Sequence, residues 1–315
     1  MKKIKYFLLV CLAIFTLGLV GCESNKEKPK EINISYVKGP FSIPSILEKN
    51  LNLVQDEFKK DDIKINFHDV TSGPQQVQAL MAGDLDILHA FGGTSAIISA
   101  SNGAKFTIIN IYSRSPKGFM IISKSDNINS PEDLKGKKIG GPKGTVLHQL
   151  LVAYLEKGNL NINDVEFINM KVNETAAALE SGVIDVALLT GPSAENSLKH
   201  GGKLVTDGEN LIQGIIVTAV SNSFLEKYPD IINRFININQ NTYKFIQEDF
   251  DKTAEIVSKE TGLSKDEIIK LKEIYDFNPE ITENDIKELK DTQEFLLKNN
   301  LQENRINIDD LILKK

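Results

Sequence analysis

The chain contains one structural plan twice. A shift of 99 positions lays Ala79, Leu80, Gly83, Asp86 and Gly92 onto Ala178, Leu179, Gly182, Asp185 and Gly191, within QALMAGDLDILHAFGGTSA and AALESGVIDVALLTGPSA. Both stretches read as a helix, a glycine stop, a short apolar strand and a glycine-bearing loop with a hydroxyl residue. A second pair sets ISYVKGPFSIPSILEKNL beside IGGPKGTVLHQLLVAYLEKGNL. Each gives a strand, a Lys-Gly step (Lys38-Gly39 and Lys143-Gly144) and a helix closing in Leu-Glu-Lys. The period is far too long for a solenoid, whose repeats run to about 50 residues. Two copies of a β-α-β-α plan mean two lobes, each with its own core.

Periodicity gives the class of fold. From Glu31 to about Val220, short apolar runs alternate with helix-period segments, which predicts an α/β architecture with mainly parallel strands. Beyond that point the pattern is nearly all helical, with a capping box at Ser264 to Glu267 and a similar start at Thr282 to Asp285. In open parallel sheets, ligands bind beyond the carboxyl ends of the strands, where helix N-termini present free N–H groups that favour polar or anionic atoms. The loop Gly92 to Ser95 falls at such a place.

The N-terminus has a separate purpose. Lys2, Lys3 and Lys5 precede the uninterrupted apolar run Tyr6 to Val20, the plan of an export signal. The run ends in Leu19-Val20-Gly21-Cys22, which resembles the lipobox of bacterial lipoproteins. Residues 1–21 are therefore expected to be cleaved and Cys22 to carry lipid, with 22–31 as a solvated tether, since ESNKEKPKE holds no large apolar residue. Cleavage at that point leaves 294 of the 315 residues, enough for two domains of about 100–200 residues each. Cys11 is lost with the signal, so Cys22 becomes the sole cysteine, and disulfide frameworks and cysteine metal clusters are excluded. Losing three lysines takes the formal net charge from −6 to −9, which argues against nucleic acid or acidic lipid as electrostatic partners.

Candidate binding residues follow from the helix starts. Thr94 and Ser95, beside Gly93, offer hydroxyls and bare amides to a ligand oxygen, or else cap their own helix. The same two readings hold for Ser72-Gly73-Pro74-Gln75, where Pro74 marks a helix start, and for Gly144-Thr145-Val146. Lys38, Gly39 and Ser42 occupy the matching place after the first strand, and Gly191 and Pro192 the matching place in the second copy. Arg114, one of three arginines among 37 basic residues, lies where the chain should cross between lobes. It is read either as a two-pronged grip on an anionic head or as an ion pair. Lys117 is a lesser candidate for that grip. His68, His89, His148 and His200 lack metal-ligand spacing, no cofactor is called for, and Asp86 and Asp185 are read as fixing loop or strand-edge geometry.

Four fragments in order, SGPQQVQALMAGDLDI, GGTSA, SPEDLKGKKIG with KGTVLHQLLVAYLEKGNL, and AALESGVIDVALLTGP, resemble the solute-binding lipoproteins of ABC importers in the nitrate, sulfonate and taurine group, whose relatives also bind thiamine precursors. The resemblance covers about Ile32 to Glu226. It implies a type II periplasmic-binding-protein fold with a ligand cleft and hinge, lobe 1 from 32–116 plus 221–315, lobe 2 from 117–220, and crossings near Ser113 to Phe119 and Thr218 to Ser223. It also implies a monomer, lipid-anchored outside the cytoplasm, that captures a small oxyanion-bearing solute and delivers it to a permease and its ATPase without performing a reaction. Leu189-Thr190-Gly191-Pro192 keeps only the proline where sulfonate binders carry a large aromatic and an acid, so a thiamine-precursor or other heterocycle binder is the alternative. An enzyme of the pyrimidine-synthase type would need a cysteine-rich signature that this sequence lacks.

Overall fold

A computed structural model describes residues 27–37 and 42–314; Cys22, Lys38 and Gly39 lie outside them. The first lobe opens with β1 (Glu31–Tyr36), α1 (Ile43–Asn50), α2 (Leu53–Lys59), β2 (Lys64–Asp69), α3 (Gly73–Ala82), β3 (Ile87–Gly92), α4 (Gly93–Ser101) and β4 (Phe106–Arg114). The chain then crosses through a 3₁₀ turn at Pro116–Gly118. The second lobe follows: β5 (Phe119–Ser123), β6 (Lys138–Gly141), α5 (Val146–Lys157), β7 (Glu166–Asn169), α6 (Val172–Glu180), β8 (Val186–Thr190), α7 (Gly191–Lys199) and β9 (Lys203–Asp207). It returns with β10 (Ile215–Ser221) and ends in α8 (Asn222–Lys227), α9 (Pro229–Glu248), α10 (Phe250–Thr261), α11 (Lys265–Lys272) and α12 (Glu283–Lys298).

The duplication is visible strand by strand. The sheets run β2-β1-β3-β10-β4 and β7-β6-β8-β5-β9. In each, four strands share a direction and one, β10 or β5, opposes them. The repeated acids have identical duties. Asp86 accepts the Asn33 N–H at 2.8 Å and returns its own N–H to the Asn33 carbonyl; Asp185 does the same with Lys138. The repeated glycines end α3 and α6 at positive φ, Gly83 at 83° and Gly182 at 73°, which glycine adopts without steric cost.

Each lobe owns a core, but one apolar cluster joins them. Val37, Ala90, Tyr112 and Ile216 of the first lobe pack in the same cluster as Val146, Leu147 and Leu150 of α5. Helix α5 starts at the cleft and buries nine of its twelve residues, as its nearly unbroken apolar sequence requires. The tail helices complete the first lobe. Ile246, Ala254 and Val257 of α9 and α10 cluster with Ile43, Ile46 and Leu47 of α1, while Leu289 and Leu296 of α12 cluster with Ala96 and Ile97 of α4.

Two expectations change. The first crossing falls where expected, between Arg114 and Phe119, but the return lies between Asp207 and Ile215, ahead of Thr218 to Ser223. Residues 215–221 are central in the first sheet, hydrogen-bonded between β3 and β4. An apolar run of that length suits either sheet, and only pairing decides. The tether is also shorter than its composition suggests. Pro29 is buried, the Lys30 carbonyl accepts the Lys64 N–H at 3.0 Å, and Lys28 pairs with Asp61 at 2.8 Å, so the chain is docked from residue 27 onward.

Candidate functional site

Six helices begin where parallel strands of the two sheets end: α1, α3 and α4 in the first lobe, α5, α6 and α7 in the second. No N-cap side chain closes any of them, and the same holds for α2 and α9. Ser42, Ser72, Thr145 and Thr190 stand at the N-cap positions of α1, α3, α5 and α7, yet none caps its helix with its side chain, and α4 begins on Gly92. At four other helices Ser221, Asp249, Ser264 and Thr282 accept from the first turn in the ordinary way. A hydroxyl at an N-cap normally satisfies one of four orphan N–H groups. Here the hydroxyls turn elsewhere: Thr145 donates to the Pro142 carbonyl at 2.8 Å and Thr190 to Gly118 at 2.6 Å. Ser42 Oγ is buried with no partner among the described residues. The starts of α3, α4, α5 and α7 therefore keep their N–H groups and positive dipole ends for another acceptor, while at α1 Tyr112 Oη accepts the Ser45 N–H at 3.3 Å.

The loops after β3 and β6 meet across the cleft. Ser95 Oγ donates to the Gly144 carbonyl at 2.8 Å, and Thr94 Oγ1 donates to Gln149 Oε1 of α5, both bonds crossing between lobes. A small cavity of about 10 Å³ beside them is lined by Gly93, Thr94, Val146, Gln149, Gln213 and Thr292. Glycine at 73 is a matter of room, since a Cβ there would lie 2.5 Å from Ser95 Oγ and 2.7 Å from Ser95 Cβ. At Gly93 a Cβ would sit 3.0 Å from the Ile215 carbonyl. Gly144 is needed for its conformation, φ 72°. Its N–H does not face the cleft as a free donor, because it donates to His148 Nδ1 at 3.2 Å. Burial, with a smaller contribution from Lys143, pushes the His148 pKa down to about 4, so the ring is neutral near pH 7 and adds no charge to the cleft.

Of the sequence candidates, the structure brings Thr94, Ser95, Gly93, Gly144, Thr145 and Val146 together, with Gly73 packed against Ser95. Gln75 is exposed on the first turn of α3, and Gly191, with φ 58°, and Pro192 open α7. Arg114 is a correction. Nε and Nη2 bind Asp285 in two-pronged fashion at 2.6 and 2.7 Å, Nη1 reaches Asp276 at 3.0 Å and the Asn278 carbonyl at 2.9 Å, and Nη2 reaches the Glu280 carbonyl at 2.8 Å. All five guanidinium N–H groups are committed to the tail, leaving none for a ligand. Lys117 is paired with Glu209 at 2.9 Å.

Several participants were not legible beforehand. Gln149 hides in an apolar helical run, and its partner Thr94 is 55 positions away. Tyr112 holds the start of α1 by bonding Ser45 Oγ at 2.9 Å, and burial raises its hydroxyl far above the ordinary tyrosine range. Beneath the cleft, His89 bonds Glu48 Oε2 at 2.8 Å and Thr218 Oγ1 at 2.9 Å, and its backbone N–H and carbonyl are both held by Ser35. The next residue, Ala90, has φ 64°, and the β3–β10 register shifts opposite it. The polar cluster fixes this bulge, which turns β3 toward Gly92 to Ser95.

Two duplicated α/β lobes, joined by two crossings and facing each other with open helix starts, define a two-lobed periplasmic-binding-type protein. The chain belongs to the NMT1/THI5-like family, whose model matches residues 56–252. A protein of Bacillus subtilis (strain 168), provisionally named for aliphatic-sulfonate binding, is 27% identical over 97% of this chain and 93% of its own. The alkanesulfonate-binding protein SsuA from Xanthomonas axonopodis pv. citri, solved bound to MOPS, superposes with TM-score 0.82 at 20% identity, covering 91% of this chain and 99% of that one. The desulfurization enzyme DSZB shares the fold at TM-score 0.65 and 16% identity, covering 90% and 96%.

Proposed function

We propose that this protein is the extracytoplasmic solute-binding lipoprotein of an ABC importer, monomeric and anchored through Cys22, and that it captures a small solute with a sulfonate or similar oxyanion head between its lobes. The observation that carries this reading is the set of helix starts at the cleft: Ser72, Thr145 and Thr190 stand at N-cap positions without closing α3, α5 and α7, and α4 starts on a glycine, so these four starts keep their N–H groups for an acceptor. Such starts suit an acceptor-rich, negatively charged group, and a solute of that kind would take the Thr94 and Ser95 hydroxyl protons from Gln149 and the Gly144 carbonyl. The names of its relatives point to the same chemistry. Binding without conversion is the expected activity, the enzyme among its fold neighbours being related in architecture alone.

Titration calorimetry of the soluble form against alkanesulfonates, taurine, nitrate and a thiamine precursor tests this. One sulfonate should bind one-to-one, be recovered unchanged, and at 100 times its dissociation constant stabilise the fold by about 2.7 kcal/mol. Thr94→Ala should weaken binding by about 0.5–3 kcal/mol, the range for neutral to charge-assisted hydrogen bonds. Tight binding of a cationic or wholly apolar molecule instead, or chemical conversion of the bound solute, refutes the proposal.

A further inference from the structure

The chain enters the first lobe at a fixed place. Glu31 pairs with Lys64 at the start of the β1–β2 ladder, and the Lys30 carbonyl extends the ladder by one bond. Asp61 binds Lys28 at 2.8 Å through one oxygen and Arg234 at 2.5 Å through the other. Bonds from Lys28 and Arg234 together hold its carboxyl below the ordinary range. Glu27 meets Lys227 of α8 at 2.9 Å. Since β1 and β2 both begin here, this is the end of the lobe opposite the cleft, and six residues of β1 carry the chain about 20 Å from one to the other.

From Cys22 to Glu27 there are five Cα–Cα steps. However that connection is folded, it reaches no more than about 18 Å. A globule of some 290 residues is roughly 50 Å across. A connection that short does not let the protein turn over and present its far end to the surface in which Cys22 is held. The exposed charges around the entry point have both signs, among them Lys28, Lys60, Lys227, Glu27 and Asp62, so chain length rather than attraction sets the arrangement.

We infer that the outer end of the first lobe, made of residues 27–31, the turn at 59–62 and α8, is the membrane-facing surface of this protein. This rests on the lipid anchor at Cys22 proposed above.

Cys22 is consumed by acylation, so one added cysteine gives a unique thiol. Lys60→Cys in the turn and Leu204→Cys, exposed on β9 of the second lobe, are labelled with a fluorophore in the acylated full-length chain on vesicles that carry a headgroup quencher. Quenching should be several-fold stronger at position 60 than at 204. Inserting about twenty Gly/Ser residues between Lys26 and Glu27 should remove the difference, because the reach then exceeds the size of a lobe. Equal quenching in the unextended chain, or a contrast that the insertion leaves unchanged, overturns the orientation. Labelled palmitate that persists in Cys22→Ala overturns the anchor instead, and this inference with it.

Discussion

Arg114 shows how one side chain can hold three parts of a chain together. It ends β4 at the crossing, and its guanidinium gathers Asp276, Asn278, Glu280 and Asp285 from the returned tail. Asp285 is 1% exposed, so its charge is tolerable only while the arginine remains. Arg114→Ala should therefore destabilise the fold by about 3–5 kcal/mol in chemical denaturation, the cost of a buried charge left alone. Solute affinity measured on the remaining folded protein should stay near wild type, which is opposite to what a ligand-gripping arginine would give. The pair also has a pH signature. Burial pushes the Asp285 carboxyl up, and the bonds from Arg114 and Thr282 more than reverse this, leaving it below the ordinary value. A depressed carboxylate stabilises the native state above its unfolded pKa, near 4, and this contribution is lost as pH falls through the folded pKa. Denaturation midpoints of wild type and Asp285→Asn should converge at acid pH and separate above about pH 4.

Among elements, paired substitutions at two helix starts separate an ordinary cap from a start kept for the solute. Ser264 caps α11, and Glu267 closes the box in return while also pairing with Lys199 at the rim between the lobes. Ser264→Ala should cost about 1 kcal/mol of stability and leave binding untouched. Ser72 opens α3 without capping it. Ser72→Ala should cost appreciably less stability, while solute affinity falls, if the hydroxyl is kept for the solute. A thermal melt and a titration on each variant make a two-by-two comparison, and an equal loss of stability in both would show that Ser72 is an ordinary cap.

The whole molecule is two lobes joined by two crossings, and the solute capture proposed above requires a change of angle there. The first crossing is tightly filled: a methyl at Gly118 would collide with Ser115 Oγ and Tyr275 Oη, and the tail residue Tyr275 is itself buried. Gly118→Ala should overpack the crossing at a cost of about 1–3 kcal/mol. In small-angle scattering, solute should make the wild type more compact and move this variant less. The rim contacts between lobes, Lys298 to Glu156 at 3.0 Å and Lys199 to Glu267, are exposed pairs of the kind worth at most about 1 kcal/mol each, so closure depends on the cleft itself.

The duplication, the two lobes, the repeated acids and glycines, and the loops that face the cleft were all legible in the sequence. Each is a local pattern, fixed by the φ a residue must adopt or by the spacing of apolar side chains along a few turns. What the sequence left open lies in pairings between distant positions. Whether residues 215–221 belong to the first or second sheet, whether Arg114 serves a ligand or the tail 162 to 171 positions away, and where 27–30 dock have no local signature. Thr94 and Ser95 were read as donors to a ligand oxygen or as helix caps, and that Gln149 and the Gly144 carbonyl accept from them across the cleft depends on how the lobes close. Strand propensity and helix period are decided within a few residues of backbone; partners separated by fifty or more residues are decided by which burial and which hydrogen bonds the folded chain satisfies together, and that is a property of the tertiary structure alone.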